Sequence, residues 1–126
     1  MPLLWLGART MVRKRGDPDA PAARARRAAR KALRRALANA TSASDQARAL
    51  EAFLGARSGE HPQAWIGRDP EAWSAAVGRA RFSGESARSL KDLMSKLDER
   101  AWARGDAPLE AAEIERTADD VLAGGL

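Results

Sequence analysis

The chain has no cysteine and no tyrosine, and only one histidine in 126 residues. Without cysteine there are no disulfides, no thiolate metal ligands and no cysteine nucleophile, which fits a reducing compartment. With His61 alone, the usual set of acid–base groups is nearly empty. No apolar run approaches the roughly 20 residues needed to cross a bilayer. No segment alternates with period two, so no strand is expected, and there is no internal repeat. The length allows one small domain. Hydrophobic residues make up 44% of the chain, but much of that is alanine. The core must therefore be thin and built from close helix contacts.

Charge is abundant and unevenly placed. Residues 1–40 hold 11 Lys/Arg against 2 Asp/Glu, a net of +9; residues 41–105 are near neutral at +1; residues 106–126 carry −5. A basic head and an acidic tail suggest different surroundings for the two ends, or an attraction between them within one molecule.

Helical spacing predicts five helices, an all-α small bundle of about four to five short helices. Helix 1 is expected over about Ala20 to Asn39, with Ala22, Ala25, Ala29, Leu33, Ala36 and Leu37 on one face and arginines around the rest. "ATSASD" restarts the chain, with Ser42 or Ser44 as cap, into helix 2, about Ala43 to Arg57, whose stripe is Ala47, Leu50, Phe53 and Leu54. After a loop carrying His61, Trp65 and Ile66, the run Asp69–Pro70–Glu71 starts helix 3, which is expected to reach about Ala80 with Trp73, Ala76 and Val77 inward. Trp65 and Ile66 are expected to plug the core edge. Ser83 caps helix 4, from about Gly84 to Arg104, which has the clearest stripe: Ala87, Leu90, Leu93, Met94, Leu97 and Ala101. Asp106 and Pro108 are expected to start helix 5, whose apolar set is Leu109, Ile114, Ala118, Val121 and Leu122. Trp65, Trp73 and Trp102 all read as core residues, because the basic stretch has no interleaved aromatics for stacking on bases.

Candidate chemistry is sparse. His61 reads as an exposed loop histidine, since its neighbour Glu60 offers no convergent partner. Glu110, Glu113, Asp119 and Asp120 lie along helix 5, but the Glu-x-x-His pairs of carboxylate-bridged metal sites are missing. The G-x-x-x-x-G-K-[ST] spacing of a phosphate loop is absent as well. No catalytic, cofactor or metal set is expected, and no small-molecule substrate.

The opening "MPLLWLGARTMVRKRG" places an apolar patch and a tryptophan before Arg9, Arg13, Lys14 and Arg15. That order is found at the cytoplasmic end of a membrane helix, and it reverses the order of a signal peptide. Residues 1–19 are therefore expected to be a membrane-exit stub and basic juxtamembrane linker, and residues 20–126 a helical cytoplasmic domain. A basic segment beside a bilayer gains about 1 kcal/mol per Lys/Arg near anionic headgroups. The competing reading of "AARARRAARKALRRALANA" is a grip for nucleic acid; no recognition motif accompanies the charge, and the acidic tail opposes it.

The succession resembles a known family. A Trp-bearing exit and "ARARRAARKALRRAL" are followed by "ARALEAFLGARSG", similar to A-x-x-x-Y-L-x-x-R-x-G, and later by "LMSKLDERAWARGDAPLEAAEIERTADDVL". Over essentially the whole chain this looks like the C-terminal cytoplasmic tail of BatD-type proteins, the oxygen-tolerance or aerotolerance family. Phe53 stands where tyrosine is usual, and Trp102 takes the late aromatic place. The resemblance implies a single-pass bacterial inner-membrane protein with large extracytoplasmic β-sandwich-like modules and a small helical tail inside the cell. It implies partners of two kinds, von Willebrand factor A-domain membrane proteins and a MoxR-type AAA+ ATPase, in stress tolerance, and no enzymatic residues. The tail of transglutaminase-like membrane proteins is a close rival. On this reading a protein partner meets helix 4 or the acidic face of helix 5, with Glu110, Glu113, Asp119 and Asp120 as candidate contacts.

Overall fold

Serine caps set the frame. Ser42 Oγ accepts the Asp45 amide at 3.1 Å, and Asp45 reaches back to the Thr41 amide and hydroxyl at 3.2 Å, a reciprocal lock on a helix start. Ser83 does the same for Ser86 at 3.0 Å. The computed structural model describes residues 20–77 and 83–126. Their elements are α1 (Ala20–Asn39), α2 (Ala43–Ser58), a single 3-10 turn (Pro62–Trp65), α3 (Pro70–Val77), α4 (Gly84–Trp102) and α5 (Ala111–Ala123). There is no strand among the described residues, so the small all-α bundle is as expected. Helices α1, α2, α4 and α5 form a closed ring of neighbours, with α3 against α4 and the 3-10 turn against α2.

The core is where the stripes predicted it. Leu33 and Leu37 of α1, Leu50, Phe53 and Leu54 of α2, Leu90, Leu93 and Leu97 of α4, and Ile114, Ala118 and Val121 of α5 are buried together with Trp65 and Trp73. Leu126 joins this core, and Arg57 holds its carbonyl oxygen with two hydrogen bonds of 3.1 and 2.8 Å.

Four expectations change. Trp102 does not pack in the core: it is 85% exposed, at the last position of α4, with its Nε1–H donating to Asp98. Ile66 is 63% exposed, because the 3-10 turn buries Trp65 and sends the next side chain outward. Ala25 and Ala76 are also exposed; in α1 the inward face rotates so that Arg26 and Arg30, not Ala25, flank Ala29 and Leu33.

The fourth concerns Asp106, which does not cap α5. It has a left-handed backbone (φ 46°), its carbonyl accepts the Ala43 amide at 3.1 Å, and its carboxylate accepts the Ser44 amide at 3.0 Å. It therefore caps α2 from across the chain, where a negative charge is favoured by the exposed amides. Next to it, buried Gln46 exchanges two 2.8 Å hydrogen bonds with the Leu109 backbone. Leu109 is thus held outside the helix, and α5 starts only at Ala111, with Glu110 in the cap position but making no side-chain cap bond.

Replacing Gln46 by leucine leaves the Leu109 amide and carbonyl buried without partners. The Gln46→Leu chain is expected to lose about 2 kcal/mol in urea unfolding; a loss below about 0.5 kcal/mol would remove this bridge from the account.

Candidate functional site

Of the residues singled out in the sequence, Arg9, Arg13, Lys14 and Arg15 lie outside the described residues, as does the stub 1–19 and the end of helix 3 towards Ala80. The acidic set divides. Glu113 pairs with Lys96 of α4 at 2.5 Å, and Asp119 pairs with Arg30 of α1 at 2.7 Å. Glu110 and Asp120 remain exposed, without side-chain partners among the described residues. Glu115, which the sequence reading passed over, is the hub: it accepts from Arg30 at 2.8 Å and from Arg34 at 3.0 Å.

Arg30 lies between the two acids and is 17% exposed. The bonds it makes reach from α1 to α5, so two acids of the tail, Glu115 and Asp119, are met by cations of the head inside the molecule. Arg34 and Arg30 hold the Glu115 carboxyl below the usual carboxylate range, and Arg30 does the same for Asp119. Arg26, a turn earlier on the same face, has a buried Nε with no hydrogen-bond partner among the described residues. The outer cations of α1, Arg24, Arg27, Lys31 and Arg35, are exposed and make no ion pair among the described residues.

A second feature lies on the opposite side of α2. A groove of about 350 Å³ runs between α2, residues 65–70 and α4. Leu50, Leu54, Trp65 and Leu97 form its floor, and Ala47, Ile66, Met94 and Ala101 its accessible apolar walls. The α4 lining extends from Lys91 to Ala101, about 15 Å at the helical rise.

The end wall is rigid for identifiable reasons. The chain crosses α2 at Gly55, where a Cβ would stand 2.8 Å from the Glu60 carbonyl oxygen and 3.0 Å from the Pro62 nitrogen. That close crossing drives Trp65 into the core, where its Nε1–H donates to Ser58 Oγ at 3.0 Å. Trp73 stacks on it at a tilt, with centroids 4.9 Å apart. Arg68 lies 4.8 Å over the Trp65 ring and pairs with Glu60, a charge over an aromatic face. His61 caps the 3-10 turn through Nδ1, accepting the Gln63 amide at 3.1 Å.

The charges on the groove are unequal in their partners. Arg68 pairs with Glu60, and Lys91 pairs with both Asp69 and Glu71 at 3.6 Å. Among the described residues Asp98 accepts only the neutral Trp102 indole. Among them Glu51 has no hydrogen bond or ion pair, and burial pushes its carboxyl up, with Arg48 partly opposing. The sequence reading missed Glu51, yet a signal existed: it lies between Ala47 and Leu54 at helical spacing, a carboxylate on an otherwise apolar edge.

Among the described residues no group of three or more His, Asp or Glu side chains is placed to hold a metal ion, and no helix is long and apolar enough to cross a membrane. Compared with known proteins, the chain matches no family model, no curated protein and no solved structure.

The Arg30 clip sets an acid dependence. Both acids have depressed folded-state values, so their contribution is complete above the ordinary carboxylate range, about pH 4, and is lost as pH falls from there through the lower folded-state values. Urea midpoints are expected to fall between pH 7 and pH 3 by less in Arg30→Met than in the wild type. Arg26→Met, which removes an unsatisfied group, is expected to leave the pH 7 midpoint unchanged or raised.

Proposed function

We propose that this chain is a non-enzymatic interaction domain, and that the α2–α4 groove is where it meets a protein partner. The observation that carries this reading is a groove with apolar walls that include exposed Ile66, and beside it a second exposed large side chain, Trp102, which follows lining residue Ala101 and bonds to lining residue Asp98. Exposed apolar residues clustered at one place mark an interaction surface, and tryptophan is prominent among residues that dominate binding. The acidic face of α5 is the weaker choice, because Asp119 and Glu113 already hold α1 and α4.

The setting follows from the resemblance. The domain is proposed as the cytoplasmic tail of a single-pass bacterial inner-membrane protein of the BatD oxygen-tolerance type. Its partners are von Willebrand factor A-domain proteins and a MoxR-type AAA+ ATPase. The outer cations of α1 favour this setting, since they continue the basic cluster of Arg9 to Arg15 and suit anionic headgroups. The same ridge also favours a second reading, a small basic nucleic-acid-binding protein.

One set of titrations separates them. The full chain is presented to a purified MoxR-type ATPase, to a von Willebrand factor A-domain protein, and to duplex DNA of several sequences, all at about 150 mM salt. Saturable binding to one of the proteins is expected, with DNA held only in the nonspecific range of roughly 1 to 100 μM and with no sequence preference. Sequence-selective DNA binding below that range, with neither protein bound, would overturn the proposal in favour of the second reading.

A further inference from the structure

We infer that the α2–α4 groove selects an amphipathic helical segment of a partner protein carrying a lysine or arginine, which meets Glu51 and Asp98. This rests on the interaction-domain reading and specifies the chemistry of its partner. Charge complementarity identifies the occupant. Of the charged side chains on the groove, Arg68, Lys91 and Asp69 are already in ion pairs, whereas Glu51 and Asp98 are in none among the described residues. The unmatched charge of the groove is therefore negative, on walls that are otherwise apolar. An entering cation is attracted by the carboxylates on both walls, and a carboxylate-bearing segment is repelled.

The shape fits a helix. The lining along α4 is about 15 Å long, which spans nearly three turns of a docked helix, longer than a compact metabolite requires. Ile66 stands on the groove wall, and Trp102 adjoins Ala101 and Asp98 at the far end of α4, so apolar side chains one or two turns apart on the partner find a contact at each end. Helix-in-groove recognition uses this spacing of anchors. A second copy of this chain is a poorer occupant. Its exposed basic helix α1 offers Ala25, Ala28 and Ala32 between its arginines, side chains too short to fill the groove.

The test uses the full chain and three labelled twelve-residue peptides: an amphipathic leucine–lysine helix, its leucine–glutamate counterpart, and a leucine–lysine sequence of the same composition without helical periodicity. Fluorescence anisotropy gives affinity, and backbone amide shifts give location. The leucine–lysine helix is expected to bind at least tenfold more tightly than either control, with shifts in α2, residues 65–70 and α4. Glu51→Gln with Asp98→Asn is expected to weaken it at least fivefold, and Glu110→Gln with Asp120→Asn to leave it unchanged. Glu51→Lys with Asp98→Lys is expected to reverse the preference towards the leucine–glutamate helix; circular dichroism checks that each variant remains helical.

Equal binding of all three peptides, or shifts confined to α5, would overturn the inference. So would a dimer in light scattering that Ile66→Asp dissolves, which would make the occupant a second copy. If the chain binds its partner protein with undiminished affinity after Glu51→Gln and Asp98→Asn, the charge inference fails while the interaction-domain reading stands.

Discussion

Arg30 ties α1 to α5, the first of the described helices to the last. Its guanidinium bonds Glu115 and Asp119, and Arg34 adds a second bond to Glu115, so α1 is fastened to α5 by a small network and not by an isolated surface pair. Isolated exposed pairs contribute little, whereas a forked, partly covered arginine held by two acids is the geometry in which such bonds count. The clip closes the ring of α1, α2, α4 and α5. It also sorts the charge: Arg30 and Arg34 are matched by acids of the tail, and Arg24, Arg27, Lys31 and Arg35 are exposed.

Closing the ring leaves α2 with two different sides. Through Asp106 and Gln46, one end of α2 is tied to the connection between α4 and α5. Towards its other end, Gly55 admits the returning chain, which buries Trp65 and raises the wall of the groove. The groove is therefore a consequence of how α2 is held, and its apolar walls stay open because no further helix of the described chain covers them. The proposed partner segment would occupy the position that another helix takes in a larger bundle.

The regular parts of the fold were legible because they depend on local pattern. The α4 stripe from Ala87 to Leu97, the serine caps at Ser42 and Ser83, and the helix start at Pro70 are written in neighbouring residues. Asp106 was misassigned because a cap can serve a helix far away in sequence, and spacing gives only the near choice. Trp102 reads as core once base stacking is set aside, but that elimination leaves out a third possibility, an exposed ring at the last position of α4. Ala25 was placed on the inner face because alanine and arginine give a weak contrast around α1, so a rotation that brings Arg26 and Arg30 inward is not visible without α5. The charge contrast between head and tail was visible, but its use inside the molecule depended on Glu115, a residue with no feature to separate it from its acidic neighbours. The groove was not legible: the sequence names the fourth helix as one possible contact, but the meeting of α2, residues 65–70 and α4, with Glu51 among its lining, depends on the tertiary fold.

The most direct test of this account is a double-mutant cycle between Arg30 and Glu115, using Arg30→Met, Glu115→Gln and the pair, with unfolding free energies at pH 7. A coupling of about 1 kcal/mol, shrinking as salt is raised, is the predicted result. Additive effects, with no coupling between the two positions, would contradict the claim that this arginine joins the basic head to the acidic tail.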